Sequence, residues 1–372
     1  MAVGRVALDI TVANLGRAGP HVYVTELARA LGALLDDRLS PIASRFAAPV
    51  GARRTMADRL RTLGRDLWWH QVGVARAARR SGAVVLHLPA GMGPVRRRLP
   101  TVLTIHDLAV LHFPELFRPW FRHYARVVLP RAARAADAII AVSQASKADI
   151  VETLAIPEER VVVVLNGVDR CFRPVPAGSE GTPDVRRRYG LPRDFVLTVG
   201  SVEPRKNLPR LLQALARLRA RPDTADVVLV HAGPEGWRAG DVSPTIRALG
   251  LSDAVRFLGY VPREDLAALY GAARLCAYPS LYEGFGLPVA EAMACGCPVV
   301  TSNVSSLPEV AGDAAVLVDP RSVDEIAAGI AALWTDETRR RDLSAKGRLR
   351  ATCFTWERTA RETAAVYDAV TQ

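Results

Sequence analysis

The chain has 372 residues, of which 49% are hydrophobic and 23% are charged. This length exceeds the size at which one hydrophobic core usually stops growing, so the composition favours two folded domains and excludes fibrous and disordered proteins. The formal net charge of +11 predicts an anionic partner, for which nucleic acid, a lipid surface and a phosphorylated substrate are the candidates.

Short runs rich in valine and isoleucine alternate with longer segments of helical period, a pattern typical of parallel sheets covered on both faces. In the first half, the predicted helices include residues 23–35 and 121–135, and the predicted strands are residues 3–10, 84–88, 102–105, 138–142 and 161–165. Residues 173–192 are rich in proline, glycine and charge, which predicts a linker.

A second alternating series follows the linker and ends in an amphipathic helix at residues 356–370. Its predicted strands are residues 195–199, 227–231, 255–258, 275–278, 299–301 and 315–318. The predicted fold is therefore α/β, with two doubly wound Rossmann-like domains, residues 1–175 and 190–354, that face a cleft. Ligands bind such sheets outside the carboxyl ends of the strands, so the cleft is the expected place for a two-substrate transfer.

Two polar elements of the first domain fall at expected strand ends. The loop over residues 14–23 contains Gly16 and Gly19, whose lack of a side chain permits a close approach of backbone to phosphate. His106 closes the strand at 102–105, where a polar residue would lie at the cleft mouth. Ser146 is predicted to cap a helix at residues 147–154.

Arg205 and Lys206 occur side by side in the turn that follows Gly200 and leads into a predicted helix. A guanidinium and an ammonium group in this position can bind a diphosphate from two directions. Fixed cations there would also stabilise the negative charge that develops on a departing nucleoside diphosphate.

The most informative segment is Tyr-Glu-Gly-Phe-Gly-Leu-Pro at residues 282–288, which is followed by Glu291. Its glycines permit positive φ angles, and the start of the following helix suits a phosphate. Carboxylates at Glu283 and Glu291 can accept hydrogen bonds from sugar hydroxyls, which predicts a nucleotide-sugar site. The residues of this segment assigned to the donor are Glu283, Phe285, Gly286, Leu287 and Glu291.

Together with the flanking residues 279–280 and 294–300, this segment resembles the donor-site signature of the family 4 retaining glycosyltransferases, which have the two-domain GT-B architecture. The resemblance covers nearly the whole chain and is strongest over residues 195–320. It implies that Glu283 contacts the transferred sugar, that Glu291 contacts the ribose, and that Arg205 and Lys206 hold the diphosphate. It also implies that His106 contacts the sugar near the acceptor.

The same resemblance implies that the glycine-containing loop closes over the donor phosphates, that the backbone of Val261 contacts the nucleotide base, and that residues 355–372 pack back on the first domain. Retention would proceed by attack from the face of the departing diphosphate, with no covalent role for Glu283. An inverting reaction is the alternative, because inverting enzymes of this architecture carry a basic histidine near the position of His21.

Residues 302–319 are most similar to mannosyl- and rhamnosyl-transferring members. The favoured function is therefore transfer of mannose from GDP-mannose to a glycan or lipid-linked acceptor. The alternatives are dTDP-rhamnose, UDP-glucose or UDP-GlcNAc as donor with a small-molecule acceptor, and a non-catalytic protein that binds a nucleotide sugar or nucleic acid. Aromatic residues make up only 6% of the chain, which argues against a nucleic-acid partner.

The sequence shows no carboxylate cluster beside the diphosphate motif, so neither a metal nor another cofactor is expected. Five cysteines without paired spacings, and the lack of a signal peptide or a long apolar run, predict a cytoplasmic protein. Arginines between residues 53 and 98, with Trp68, Trp69 and Trp120 nearby, make an anionic membrane surface a candidate partner. The alternative is a solvated arginine-rich face.

Overall fold

The computed structural model describes residues 4–14, 19–44, 64–96, 98–174, 185–234 and 242–372. The chain divides into two compact units, one formed by Met1–Gly167 with Thr355–Gln372 and the other by Val168–Phe354. Residues 168–174, which the sequence placed with the first domain, belong to the second unit. The predicted α/β class, with two doubly wound sheets, is confirmed.

The sheet of the first unit has six parallel strands in the order β2-β1-β3-β4-β5-β6. They are β1 (Val6–Asp9), β2 (Leu39–Ile42), β3 (Val85–Leu88), β4 (Thr101–Ile105), β5 (Ala138–Ala141) and β6 (Val161–Val163). All except β2 were predicted. β2 reads Leu-Ser-Pro-Ile and is only partly buried, because it is an edge strand, where a proline is tolerated.

Helices cover both faces of this first sheet. They are α1 (Gly19–Leu35), a π-helical segment (Arg65–Gly73) that continues into α2 (Val74–Arg80), α3 (Ala109–His112), α4 (Pro119–Ala135) and α5 (Gln144–Leu154). Short 3-10 turns occur at Thr11–Asn14, Asp36–Arg38, Pro114–Leu116 and Glu158–Arg160. The core packs α2, α4 and α5 against strand residues such as Leu86, Leu103 and Ile139.

The second unit has six parallel strands in the order β12-β11-β10-β7-β8-β9, all of which were predicted. They are β7 (Val196–Val199), β8 (Leu229–Ala232), β9 (Val255–Gly259), β10 (Leu275–Tyr278), β11 (Val299–Ser302) and β12 (Ala315–Val318). The helices of this unit are α6 (Val185–Tyr189), α7 (Leu208–Arg219), α8 (Ser243–Ala248), α9 (Arg263–Ala272), α10 (Leu287–Ala294), α11 (Leu307–Ala311), α12 (Val323–Thr335) and α13 (Glu337–Ala351). A 3-10 turn at Pro204–Lys206 precedes α7.

The strand order of the second unit reverses between β7 and β10, which lie side by side although β8 and β9 separate them in sequence. In open α/β sheets, such a switch point forms a crevice at the carboxyl ends of the strands, where ligands bind. The turn after β7 carries Arg205 and Lys206, and the turn after β10 carries Glu283. The fold therefore brings the two predicted donor motifs to one edge.

The last helix, α14 (Trp356–Thr371), packs on α1 within the first unit, as predicted. A buried polar network fixes it there. Tyr367 Oη lies 2.6 Å from His87 Nδ1, and His87 Nε2 lies 2.8 Å from Thr104 Oγ1. Thr104 Oγ1 in turn lies 3.3 Å from the hydroxyl of Tyr23 on α1. Buried polar groups that are satisfied in this way favour one specific packing of the helix.

Two observations bear on the predicted membrane surface. Trp68 and Trp120 are each 46% exposed, but Trp69 is only 6% exposed and donates from Nε1 to Asp9 Oδ2 at 3.1 Å. The prediction that Trp69 is an interfacial aromatic is therefore wrong, because its indole is part of the core. Several of the arginines lie at residues 45–63 and 97, outside the described residues. In the part of the chain that the structure describes, no helix is both long and apolar enough to span a bilayer.

We predict that His87 makes the first unit acid-sensitive. Burial lowers the pKa of the His87 imidazole to about 3, whereas the ordinary value of 6.5 applies in the unfolded chain. The unfolded state therefore binds the proton more readily between these values, and stability falls as the pH drops below about 6.5. The measurement is denaturant unfolding of wild type and His87→Gln at pH 7 and at pH 4.5. The free energy of unfolding of wild type, relative to that of His87→Gln, should be lower at pH 4.5 than at pH 7 by about 2 to 3 kcal/mol.

His123→Gln is the matched control for this experiment, because His123 is an exposed histidine on α4 of the same unit. Because its side chain is exposed to water, the change of its stability difference from wild type between the two pH values should be smaller than that of His87→Gln. A constant difference for His87→Gln would contradict a buried neutral imidazole at residue 87.

Candidate functional site

Steric constraints shape the turn that follows β7. Gly200 has a φ of +131°. The backbone of Gly233 lies so close to Gly200 that a Cβ added to Gly233 would lie 1.9 Å from Gly200 O. Asn207 then adopts a left-handed φ of +62° and precedes α7. Its buried side chain donates from Nδ2 to Pro279 O at 3.0 Å and to Pro320 O at 2.6 Å. Asn207 therefore joins the turn after β7 to the segments that follow β10 and β12.

The carboxylate of Glu283 lies between the two predicted phosphate-binding side chains and is only 7% exposed. Arg205 donates from Nη1 to Glu283 Oε2 at 2.8 Å, and Lys206 donates from Nζ to Glu283 Oε1 at 2.7 Å. The hydroxyl of Tyr278 donates to the same Oε1 at 2.9 Å and also contacts Lys206 Nζ. Arg205 pairs in addition with Glu203 at 2.9 Å. Residues 203, 205, 206, 278 and 283 thus form one ionic cluster.

Opposing effects determine the protonation of this cluster. Burial disfavours the charged form of Glu283, but the charges of Arg205 and Lys206, with their hydrogen bonds, outweigh it and lower its pKa to about 2. Burial also lowers the pKa of Lys206, although the neighbouring Glu283 opposes this shift. We conclude that Glu283 is ionised at neutral pH.

Serine hydroxyls fix the backbone of the glycine-rich turn after β10. Ser305 Oγ donates to Glu283 O at 2.5 Å, and Ser306 Oγ donates to Glu283 O at 3.0 Å and to Phe285 O at 2.9 Å. Gly286 has φ +98°, and an added Cβ would lie 2.6 Å from Leu307 Cδ2, so a glycine is required there. Leu287 is the first residue of α10. The turn is therefore held rigidly at the crevice.

Glu291 lies on α10 in a different environment from Glu283. Its Oε2 accepts a hydrogen bond of 3.3 Å from the hydroxyl of Tyr270. Burial raises the pKa of the Glu291 carboxyl to about 7, and the nearby charge of Arg263 only partly opposes this shift. Arg263 itself pairs with Asp169 at 2.8 Å. The two glutamates of the motif therefore differ in charge near neutral pH.

In the first unit, His106 follows β4 as predicted, and its imidazole is held by its surroundings. His106 Nε2 donates to Pro89 O at 2.8 Å, and the Tyr23 and His106 rings pack in a T-shaped arrangement with a centroid distance of 4.6 Å. Burial lowers the pKa of His106, although Pro89 and Asp107 oppose this shift, so the ring is neutral at neutral pH. Ser146 Oγ donates to His106 O, whereas Ser143 caps α5, so the predicted cap at Ser146 is wrong.

Three further predicted residues have simple positions. Gly16 lies outside the described residues. Gly19 is the first residue of α1, and a Cβ added there would have no neighbour within 4 Å among the described residues. Its contact with the donor phosphates stays a prediction. Val261 follows β9 and is 7% exposed. Its contact with a nucleotide base stays a prediction.

The sequence analysis missed several residues that build this site, namely Asn207, Tyr278, Ser305 and Ser306. Tyr278 is the last residue of a predicted strand, Asn207 directly follows the Arg205-Lys206 pair, and the two serines lie a few residues beyond the strand at 299–301. Their closeness to the carboxyl ends of strands is the signal that could have indicated them. Their hydrogen-bond partners come from other segments of the chain, so their function could not be inferred from local spacing.

Comparison with known proteins now decides the family. Residues 17–171 match the family model Glycosyltransferase Family 4, and residues 184–350 match Glycosyl transferases group 1. The chain belongs to glycosyltransferase family 4. It is therefore a glycosyltransferase with the GT-B fold.

Two curated relatives of this glycosyltransferase carry mannosyltransferase names. O-antigen chain mannosyltransferase B from Escherichia coli is 38% identical over 269 residues, which cover 72% of this chain and 69% of that protein. MMP α-(1→4)-mannosyltransferase from Mycolicibacterium hassiacum is 37% identical over 244 residues, which cover 64% of this chain and 55% of that protein. The chain thus spans about half the length of the second relative.

Solved structures support the same fold. The sucrose-phosphate synthase of Thermosynechococcus elongatus superposes with a TM-score of 0.78 over 99% of both chains at 22% sequence identity. The glycosyltransferase fold therefore extends over both units.

We predict that Asn207→Asp destabilises the second unit. The substitution keeps the size of the side chain but places an acceptor where Nδ2 now donates to two carbonyl oxygens. Loss of these bonds and repulsion between acceptors should lower the free energy of unfolding by about 3 kcal/mol, measured by denaturant titration. Asn303→Asp, the same change at an exposed position, is the control. Equal effects of the two variants would contradict the tethering role of Asn207.

Proposed function

We propose that this glycosyltransferase transfers mannose from GDP-mannose to a glycan or lipid-linked acceptor with retention of anomeric configuration. The observation that carries the proposal is the position of Glu283 between Arg205 and Lys206 at the switch point of the second sheet. The mannosyltransferase names of both relatives favour mannose as the transferred sugar.

The ionic cluster would bind the donor by exchange of anions. Phosphate oxygens of the donor take the places of the Glu283 oxygens on Arg205 Nη1 and Lys206 Nζ, so the buried cations stay compensated. Glu283 then keeps Tyr278 as a partner and gains free lone pairs for sugar hydroxyls. Binding of the diphosphate and orientation of the sugar are coupled in this scheme, because one carboxylate is shared between them.

Retention follows most simply from attack on the face that the diphosphate leaves. The bond between the anomeric carbon and the acceptor oxygen forms as the bond to the phosphate oxygen breaks, and the proton of the acceptor hydroxyl passes to the departing diphosphate. With a pKa of about 2, Glu283 is a poor general base at neutral pH, which favours an orienting role. Arg205 and Lys206 stabilise the charge that develops on the leaving group.

Glu291 is the proposed contact of the ribose hydroxyls, and His106 the proposed contact of the sugar near the acceptor. The neutral imidazole of His106 donates from Nε2 to Pro89 O, which leaves Nδ1 as an acceptor for a sugar hydroxyl. We further propose that transfer needs no metal, because two fixed cations already supply the positive charge that a divalent ion provides in other transferases.

The exposed indoles of Trp68 and Trp120 favour a peripheral contact with an anionic membrane as a secondary property of the first unit. Such a contact would bring a lipid-linked acceptor to the enzyme.

The donor assignment is tested by release of nucleoside diphosphate from GDP-mannose, UDP-glucose, UDP-GlcNAc and dTDP-rhamnose, each with and without EDTA. We expect the highest turnover with GDP-mannose and no loss in EDTA. Glu283→Gln should lower turnover by about 100-fold or more. The same variant should bind free GDP at least as tightly as wild type, because a neutral amide in place of the Glu283 carboxylate no longer competes for the two cations.

Near-wild-type turnover of Glu283→Gln would contradict the proposed role of this residue. Preference for another nucleotide sugar would replace mannose as the transferred group but leave the site intact. If the affinity of Glu283→Gln for GDP fell by the same factor as its turnover, the proposed exchange of anions would be contradicted.

We predict that donor affinity depends on the ionisation of Glu291. Because the folded pKa is about 7, the carboxylate accepts ribose hydroxyls above this pH and loses that ability below it. The KM for the donor should therefore rise as the pH falls from 8 to 6 in wild type. In Glu291→Gln it should be high and independent of pH in this range. A KM that changes in the same way in both proteins would contradict the ribose contact.

A stability measurement provides the structural control for this variant. The folded pKa of Glu291 exceeds its ordinary value of 4.5, so the native state of wild type loses stability as the pH rises from 4.5 through 7. Glu291→Gln lacks this loss and should gain stability relative to wild type over the same range.

A further inference from the structure

An arginine-lined cavity lies at the opposite edge of the second sheet from the proposed donor site. Its volume is about 480 Å³, and its lining includes Arg274 before β10, Pro298 before β11 and Asp194 before β7. Since the strands are parallel, these amino ends lie across the sheet from Arg205, Lys206 and Glu283. The four residues of β10 alone span roughly 13 Å, so the cavity is separate from the donor site.

Six arginines and two carboxylates line this cavity, which gives it an excess of four positive charges. Three of the arginines have structural functions. Arg274 donates to Trp334 O and pairs with Asp194. Arg340 donates to Leu333 O and Trp334 O and pairs with Glu337. Arg341 pairs with the same Glu337. The two carboxylates are thereby fully engaged.

The other three arginines have no carboxylate partner among the residues that the structure describes. Arg348 donates only to Ser344 Oγ at 2.7 Å, and Arg193 is exposed at the cavity without a hydrogen-bond partner in the described ranges. Arg186 donates from Nη2 to Ala272 O at 2.7 Å, but its buried Nε has no acceptor in this part of the chain.

We propose that this cavity binds an anion that bears phosphate groups. Guanidinium groups bind phosphate oxygens in a bidentate way, and three uncompensated ones around a single cavity match a ligand with at least two negative charges. The volume is within the range typical of small-molecule pockets. A soluble phosphorylated compound and a phospholipid headgroup share this chemistry.

The experiment is calorimetric titration of the full chain with inorganic pyrophosphate. Lys206→Ala serves as the background, because it should weaken binding at the donor site without touching the cavity. In this background we expect pyrophosphate to bind with an affinity that falls as the salt concentration rises. Adding both Arg193→Gln and Arg348→Gln should lower this affinity by about tenfold or more. Arg247→Gln, which removes the same charge from an exposed position of the same unit, should leave the affinity unchanged.

The possible outcomes separate this inference from the proposed function. Unchanged affinity after Arg193→Gln and Arg348→Gln, or equal weakening by Arg247→Gln, would overturn the cavity site. Loss of all pyrophosphate binding in Lys206→Ala would also overturn it while supporting the donor site. Binding that depends on Arg193 and Arg348 but not on Lys206 would support the cavity and contradict the proposed diphosphate contact.

A second arm of the experiment distinguishes the sources of the phosphate. Sedimentation with phosphatidylglycerol vesicles should show no dependence on Arg193 and Arg348 if the ligand is a soluble compound. Vesicle binding that is lost in the double variant, without any pyrophosphate binding, would assign the cavity to a lipid headgroup. Absence of both kinds of binding would reject a phosphate-bearing ligand.

Discussion

The ion pair that Glu283 forms with both Arg205 and Lys206 is the interaction on which the architecture of the second unit depends. These residues are almost eighty positions apart in sequence and meet because β7 and β10 are neighbours in the sheet. A buried carboxylate costs several kcal/mol unless cations and hydrogen bonds compensate it. Here the compensation comes from Arg205 and Lys206, the groups that we propose to bind the donor diphosphate, so in this proposal one cluster serves both the stability of the fold and the recognition of the donor.

Many of these elements could be predicted from the sequence, because valine-rich runs between helical segments indicate buried parallel strands. This indication does not depend on which strands are neighbours in the sheet. The edge strand β2 was missed since Pro41 and its partial burial hide the pattern. Arg205 and Lys206 were predicted from the turn between a predicted strand and a predicted helix, and Glu283 was predicted from the glycine-rich segment at residues 282–288. Gly167 shows the opposite case. It has the appearance of a simple turn residue, but an added Cβ would lie 2.4 Å from Trp356 N, a contact between residues far apart in sequence.

Protonation is the property of the site that sequence reveals least. Glu283 and Glu291 are equivalent in the motif, but one carboxyl has a pKa of about 2 and the other of about 7. The difference arises because two cations contact Glu283, whereas Glu291 has a tyrosine hydroxyl and only a more distant arginine to oppose its burial. One glutamate is therefore a permanent anion and the other is sensitive to pH, although local spacing suggests the same role for both.

The surroundings of His106 explain why the end of the chain belongs to the first unit. The Tyr23 ring makes T-shaped contacts with His106 and also with Trp356, the first residue of α14. The hydroxyl of Tyr23 reaches Thr104, through which His87 and Tyr367 continue the network to the far end of the same helix. Docking of α14 on α1 thus covers Tyr23, whose ring in turn packs on His106. A helix distant in sequence from every motif of the site thereby contributes to the surroundings of one of its proposed members.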